Sequence, residues 1–201
     1  MSGIIAQNSG RHTGLVKASS GGGGVWNLIE TQTASSDATL DFTSGIDSTY
    51  DEYVFKLINI HPETDNVYFQ FQGNAVGGSG YNETITSTAF YAQHKEDGTD
   101  GEMAYDSGSD LAQGTAFQQI SKNIGNDNDQ STSGYLYLFN PSSTTFVKHF
   151  IIISNMYMYQ EYTYVVRRGG YFNTTSAIDE IQFQMSSGNI DAGTISLYGI
   201  S

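Results

Sequence analysis

The chain alternates short apolar runs with polar, glycine-rich stretches, and no apolar spacing of three and four persists long enough for a helix. Residues 66–72 show a two-residue period: Val67, Phe69 and Phe71 fall on one side, Tyr68, Gln70 and Gln72 on the other. The same alternation returns where Ile181, Phe183 and Met185 interleave with Gln182 and Gln184, and where Ile195 and Leu197 interleave with Thr194, Ser196 and Tyr198. Residues 53–60 are almost continuously apolar, which predicts a strand covered on both faces. Further runs at 26–30, 39–42, 85–93, 116–124, 135–139, 146–155 and 162–168 read as strands. Segments 95–109 and 125–134 read as long loops, and the Asn-Pro-Ser-Ser of 140–143 as a turn. Roughly ten strands at this spacing predict an all-β domain, a jelly roll or related two-sheet antiparallel β-sandwich. No fixed-period repeat is visible, which argues against propellers and solenoids.

Residues 1–24 follow a different pattern. They are polar and rich in Gly and Ser, end in four glycines, and hold Arg11 and Lys17 with Ile4, Ile5, Leu15 and Val16 as candidate apolar anchors. Such a segment cannot build a core of its own, so it is expected to be disordered or to order against a neighbouring subunit. The organisation expected is an extended N-terminal arm and linker over 1–24, followed by one sandwich domain over 25–201.

Composition narrows the chemistry. A chain of 201 residues can bury a sizeable core without staples, and the absence of Cys excludes disulfides, thiolate metal sites and thiol catalysis. With 23 Gly and only 2 Pro, tight turns at positive φ are expected. The formal net charge of -13 repels phosphate backbones, so no nucleic-acid partner is expected. No apolar stretch is long enough for a signal peptide or a bilayer span, so a soluble protein without a membrane partner is expected.

Candidate reactive groups are dispersed. His12, His61, His94 and His149 show no metal-ligand spacing. Glu96, Asp97, Asp100 and Glu102 crowd one predicted loop, and Asp127 and Asp129 another. The second loop departs from the EF-hand pattern, with Thr132 where the sharp-turn Gly belongs and Leu138 where the bidentate Glu belongs. Solvated loops without a cofactor are expected, with adventitious Ca²⁺ binding as the alternative. No G-x-S-x-G occurs, since Tyr81 stands where the last Gly after Ser79 would be. The acidic pairs Asp51–Glu52 and Asp179–Glu180 flank predicted strands as surface positions would. A non-enzymatic protein is therefore expected.

One bias points to binding. Tyr157, Tyr159, Tyr162, Tyr164 and Tyr171 cluster around the Arg167–Arg168 pair, and Tyr and Arg are enriched at interfaces. Sheet packing, a subunit interface and a glycan site all use such residues. As an interface, the set comprises Tyr157, Tyr159, Tyr162, Tyr164, Arg167 and Arg168 together with the arm residues Ile4, Ile5, Leu15 and Val16.

Three stretches carry a family resemblance: STYDEYVFKLINIHPETDNVYFQFQ (48–72), DQSTSGYLYLFNPSSTTFVKHF (129–150) and YFNTTSAIDEIQFQMSSGNIDAGTISLYGI (171–200). Together with the opening VWNLIETQTAS, they make nearly the whole chain resemble virion structural proteins of tailed bacteriophages of marine and aquatic bacteria, cyanophages among them. The closing SSGNIDAGTISLYGI is the most specific piece. The resemblance implies a location in the virion, assembled in the bacterial host cytoplasm, and supplies no catalytic motif. A capsid decoration protein fits this, a homotrimer of jelly rolls holding the major capsid protein or another virion protein through the arm. A tail-fibre or receptor-binding module recognising host surface glycans is the alternative.

Overall fold

The structure, a computed structural model, describes residues 25–201. Along the chain run β1 (Trp26–Asp37), β2 (Thr39–Phe42), β3 (Glu52–Pro62), β4 (Phe69–Ala75), β5 (Ile85–Lys95), β6 (Gly101–Tyr105) and β7 (Ala112–Gly114). Then follow β8 (Gln118–Gln119), β9 (Thr132–Phe139), β10 (Lys148–Tyr157), β11 (Tyr162–Phe172), β12 (Ile178–Met185) and β13 (Ile190–Ile200). Nine strands form one antiparallel sheet, in the order β1-β13-β3-β9-β10-β11-β5-β6 with β7 also on β5. The other four form a second sheet, β2-β12-β4-β8. The unequal split makes this the related sandwich rather than the eight-stranded double Greek key of a jelly roll.

Alternation fills the space between the sheets. Phe183 of β12 lies 5.2 Å from Phe55, 5.9 Å from Phe42 and 5.7 Å from Phe69, the last pair stacked. Phe71, Phe150 and Phe172 continue this cluster edge to face. Such pairs contribute about 0.5–1.5 kcal/mol each beyond area burial. Lys148, fully buried, closes one end: its Nζ donates to the carbonyls of Phe146 (2.7 Å) and Thr174 (3.2 Å), tying two loops together.

Four strands cannot cover nine. Past β8 the inner face of β10, β11 and β5 is covered by irregular chain from Asp106 to Ile124, over a second cluster of Met156, Met158, Tyr164 and Val166. Irregular chain leaves backbone groups that buried side chains must satisfy. Gln72 Nε2 donates to the carbonyls of Glu83, Thr115 and Ala116, Gln118 Nε2 to that of Ser109, and Ser154 Oγ to that of Ile120.

Three expectations need correction. Segment 116–124 is a strand only at Gln118–Gln119, because Ile120 and Ser121 both turn their N–H groups onto the single carbonyl of Phe69. Segment 95–109 is not wholly a loop: Gly98 at φ +73° turns the chain and β6 pairs back along β5. The strand expected at 26–30 runs on to Asp37, past a bulge between Leu28 and Glu30.

Candidate functional site

The two outer faces of the sandwich differ in kind. On the four-stranded sheet, Thr39, Asp41, Gln70, Gln182 and Gln184 alternate with the core residues, as expected of an antiparallel sheet that meets water. On the nine-stranded sheet the outward positions are largely aromatic and aliphatic. The register lines them up in rows across the strands. One row runs Leu28, Tyr198, Val54, Tyr137, Ile151. The next runs Lys56, Tyr135, Ile153, Arg167, Phe90, Tyr105. A third takes in Asn155, Val165, Ala92 and Met103.

Local sequence explains why these side chains point outward. In β9 the run Tyr135-Leu136-Tyr137-Leu138-Phe139 sends its leucines into the core and its aromatics out. In β10, Phe150 and Ile152 are buried while Ile151 stays 43% exposed. An aromatic canopy covers the β1 side: Trp26 lies 5.2 Å from Tyr198 and 5.9 Å from Tyr135, and Tyr137 stacks along Phe139. Beneath it Val54 is fully buried although it points away from the core, so β3 is covered on both faces there, as its sequence predicts. Burial raises the Tyr137 phenol above its usual range, with Tyr135 and Glu52 adding to the shift. Away from the canopy the face is open, with Leu28 60%, Phe90 49% and Met103 77% exposed.

A depression of about 390 Å³ lies in the middle of this face around Gly134, lined by Ile58, Tyr135, Ile153 and Val165 together with Lys56 and Asn155. A Cβ at Gly134 would stand 2.3 Å from the Ile153 carbonyl oxygen, so glycine is what allows β9 and β10 to pair closely here. The charge on the face is Lys56 and Arg167, with Glu52 at one rim and Asp110, which accepts from the Tyr105 hydroxyl, at another. Carboxylates lie at both ends of the sandwich, Asp47, Asp51, Glu52, Asp179 and Glu180 where β3 and β12 begin, and Glu63, Asp65, Glu96, Asp97, Asp100, Asp127 and Asp129 in the turns at the other.

The end with Asp127 and Asp129 holds a second depression of about 400 Å³, lined by Asn59, His61, Asn128, Asp129, Gln130 and Asp191. His61 Nδ1 is 3.4 Å from Asp191 Oδ2, and its Nε2 is 3.2 Å from the Asp127 carbonyl oxygen. Several other carboxylates here have partners of their own. Asp97 accepts from Thr99 and pairs with Lys95 at 2.9 Å, and its pKa falls to about 2, led by the Thr99 hydrogen bond. Asp100 accepts from the Tyr162 hydroxyl at 2.9 Å, and Glu102 from that of Tyr91. Among the described residues, no group of three or more His, Asp or Glu is placed to hold a metal ion.

The structure separates the interface candidates. Tyr157, Tyr159 and Tyr162 lie at the turn between β10 and β11, half-buried or exposed, and Arg167 points outward. Tyr164 and Arg168 lie in the opposite phase of β11 and are buried within the chain, 2% exposed each, so neither can face a partner. Tyr164 stacks on Tyr91 at 4.7 Å and its hydroxyl donates to Asp106 at 3.3 Å. Arg168 donates to Asp106 (3.4 Å) and to the Gln119 carbonyl, while Lys122 reaches Asp106 from the rim at 3.0 Å. Burial lowers the Arg168 guanidinium to about 10 against the pull of Asp106. Ile4, Ile5, Leu15 and Val16 lie outside the described residues.

The outward residues Trp26, Leu28, Tyr137, Ile151, Ile153 and Phe90 are absent from that candidate set. Its signal was present in the runs Tyr-Leu-Tyr-Leu-Phe and Phe-Ile-Ile-Ile, which are apolar in both phases although they belong to antiparallel strands. No protein-family model and no curated protein matches the chain.

Proposed function

We propose that the protein is a non-enzymatic structural component of a tailed-phage virion. It acts as a capsid decoration or surface protein that oligomerises through its β-domain, as a homotrimer, and holds the shell through residues 1–24. The observation that carries this reading is the apolar outer face of the nine-stranded sheet, which a monomer in water would leave wet. The resemblance of segments 48–72, 129–150 and 171–200 to phage virion proteins supports the same conclusion. So does the entry of the chain: Val25 pairs with Ser201 at one end of the sandwich, which suits an arm that leaves from that end toward the shell. Gold-labelled antibody against the protein should decorate the heads of purified particles. Label on the tails alone would refute decoration.

The polar depression at Asn59, His61, Asp129 and Asp191 favours a second reading, a tail-fibre or receptor-binding module taking host surface glycans through amides and carboxylates. Free protein would then compete with infection, which a decoration protein would not do.

A further inference from the structure

We infer that the outer face of the nine-stranded sheet packs against a second copy of this chain, with Leu28, Tyr137, Ile151, Ile153, Val165 and Phe90 at the centre of the contact. The inference rests on the structural reading only in taking the partner to be another copy.

Three observations select that occupant. The first is size. Eight strands side by side at about 4.8 Å span about 34 Å, and three rows with their side chains cover about 20 Å along the strands. The footprint, with the polar positions that complete these rows included, is therefore on the order of 700 Å² per copy, close to the roughly 800 Å² per partner of a stable interface. The second is charge. The chain carries 21 acidic against 8 basic residues and repels itself over most of its surface. This face instead offers Lys56 and Arg167 against Glu52 and Asp110 at its rims, Asp110 accepting from the Tyr105 hydroxyl, so the acidic excess of the rest of the chain is missing where two copies would approach.

The third is shape and chemistry. A rigid apolar plane as wide as a whole sheet is matched by another such plane, and sheets stack about 10 Å apart with side chains interdigitating. The depression around Gly134 gives a protruding apolar side chain from the second copy a place to sit. The polar groups here, Lys56, Asn155 and Arg167, are outnumbered by Leu28, Ile58, Ile151, Ile153 and Val165, which offer a glycan no hydrogen bond. A dimer in which the faces meet whole buries this full footprint, whereas a trimer that sets one half of each face against the other half of the next copy buries about half of it, on the order of 350 Å², at each contact.

The test is sedimentation equilibrium of the full chain at micromolar concentration, beside the variants Ile151→Glu, Phe90→Glu and, on the other sheet, Gln184→Glu. The wild type and Gln184→Glu should sediment as two or three times 21.9 kDa. Either face variant should fall to one copy with an unchanged β-sheet circular dichroism spectrum. A monomeric wild type, or an oligomer untouched by both face variants, overturns the inference. Because this is measured on the isolated protein, it can fail while the protein is still found in virions, and can succeed if it is not.

Discussion

At the residue scale, Asp106 decides whether the irregular cover over β10 and β11 stays down. It is 4% exposed and receives Arg168 and Tyr164 from β11 and Lys122 from the segment after β8. Removing one partner of a buried ion pair leaves the other charge uncompensated, at a cost of about 3–5 kcal/mol. Asp106→Ala should lose that much in urea unfolding. The double replacement Asp106→Leu with Arg168→Met should recover most of it, because an apolar pair of similar volume strands no charge. Burial opposes ionisation of Asp106, but hydrogen bonds from Ser109 and Lys122 and the charge of Arg168 outweigh it and hold its pKa below the ordinary 3.8. Its contribution is therefore complete above that value and disappears as pH falls through the lower folded pKa. The melting temperature of the wild type should drop on acidification below 3.8, and Asp106→Asn should show a shallower drop. Equal slopes for the two proteins would remove Asp106 from this role.

At the scale of elements, protection should follow position in the sheet. β9, β10 and β11 are paired on both sides, whereas β6 is five residues long, mostly exposed and at the end of the strand order. Amide hydrogen exchange should thus be slowest in β10 and fast in β6, which opens without unfolding the core. Uniform protection across both strands would contradict the hierarchy. The same contrast explains what could be read from sequence. β4, β12 and β13 are legible because one phase of each strand faces the core and the other faces polar surroundings, so alternation reports the fold directly. β6 is not legible, because Gly101–Tyr105 is held by backbone pairing to β5 and buries little. Segment 116–124 misleads in the opposite sense: Ile120 and Ile124 are buried as strand residues would be, but the ladder stops after Gln119. The Tyr and Arg cluster was visible as composition, but composition carries no phase. The period of β11 turns Arg167 outward and Arg168 inward, and adjacency in sequence cannot tell them apart.

At the scale of the whole molecule, the sandwich is asymmetric twice over. One sheet has nine strands and the other four, and one outer face carries rows of apolar side chains where the other is polar. The second asymmetry gives the domain one side suited to a neighbouring copy, which is what the proposed structural role requires. The most direct measurement of this account is the copy number of the protein in purified virions, by gel densitometry against the major capsid protein. A decoration protein predicts copies on the order of the capsid protein itself, whereas a handful per particle, or none, would contradict it.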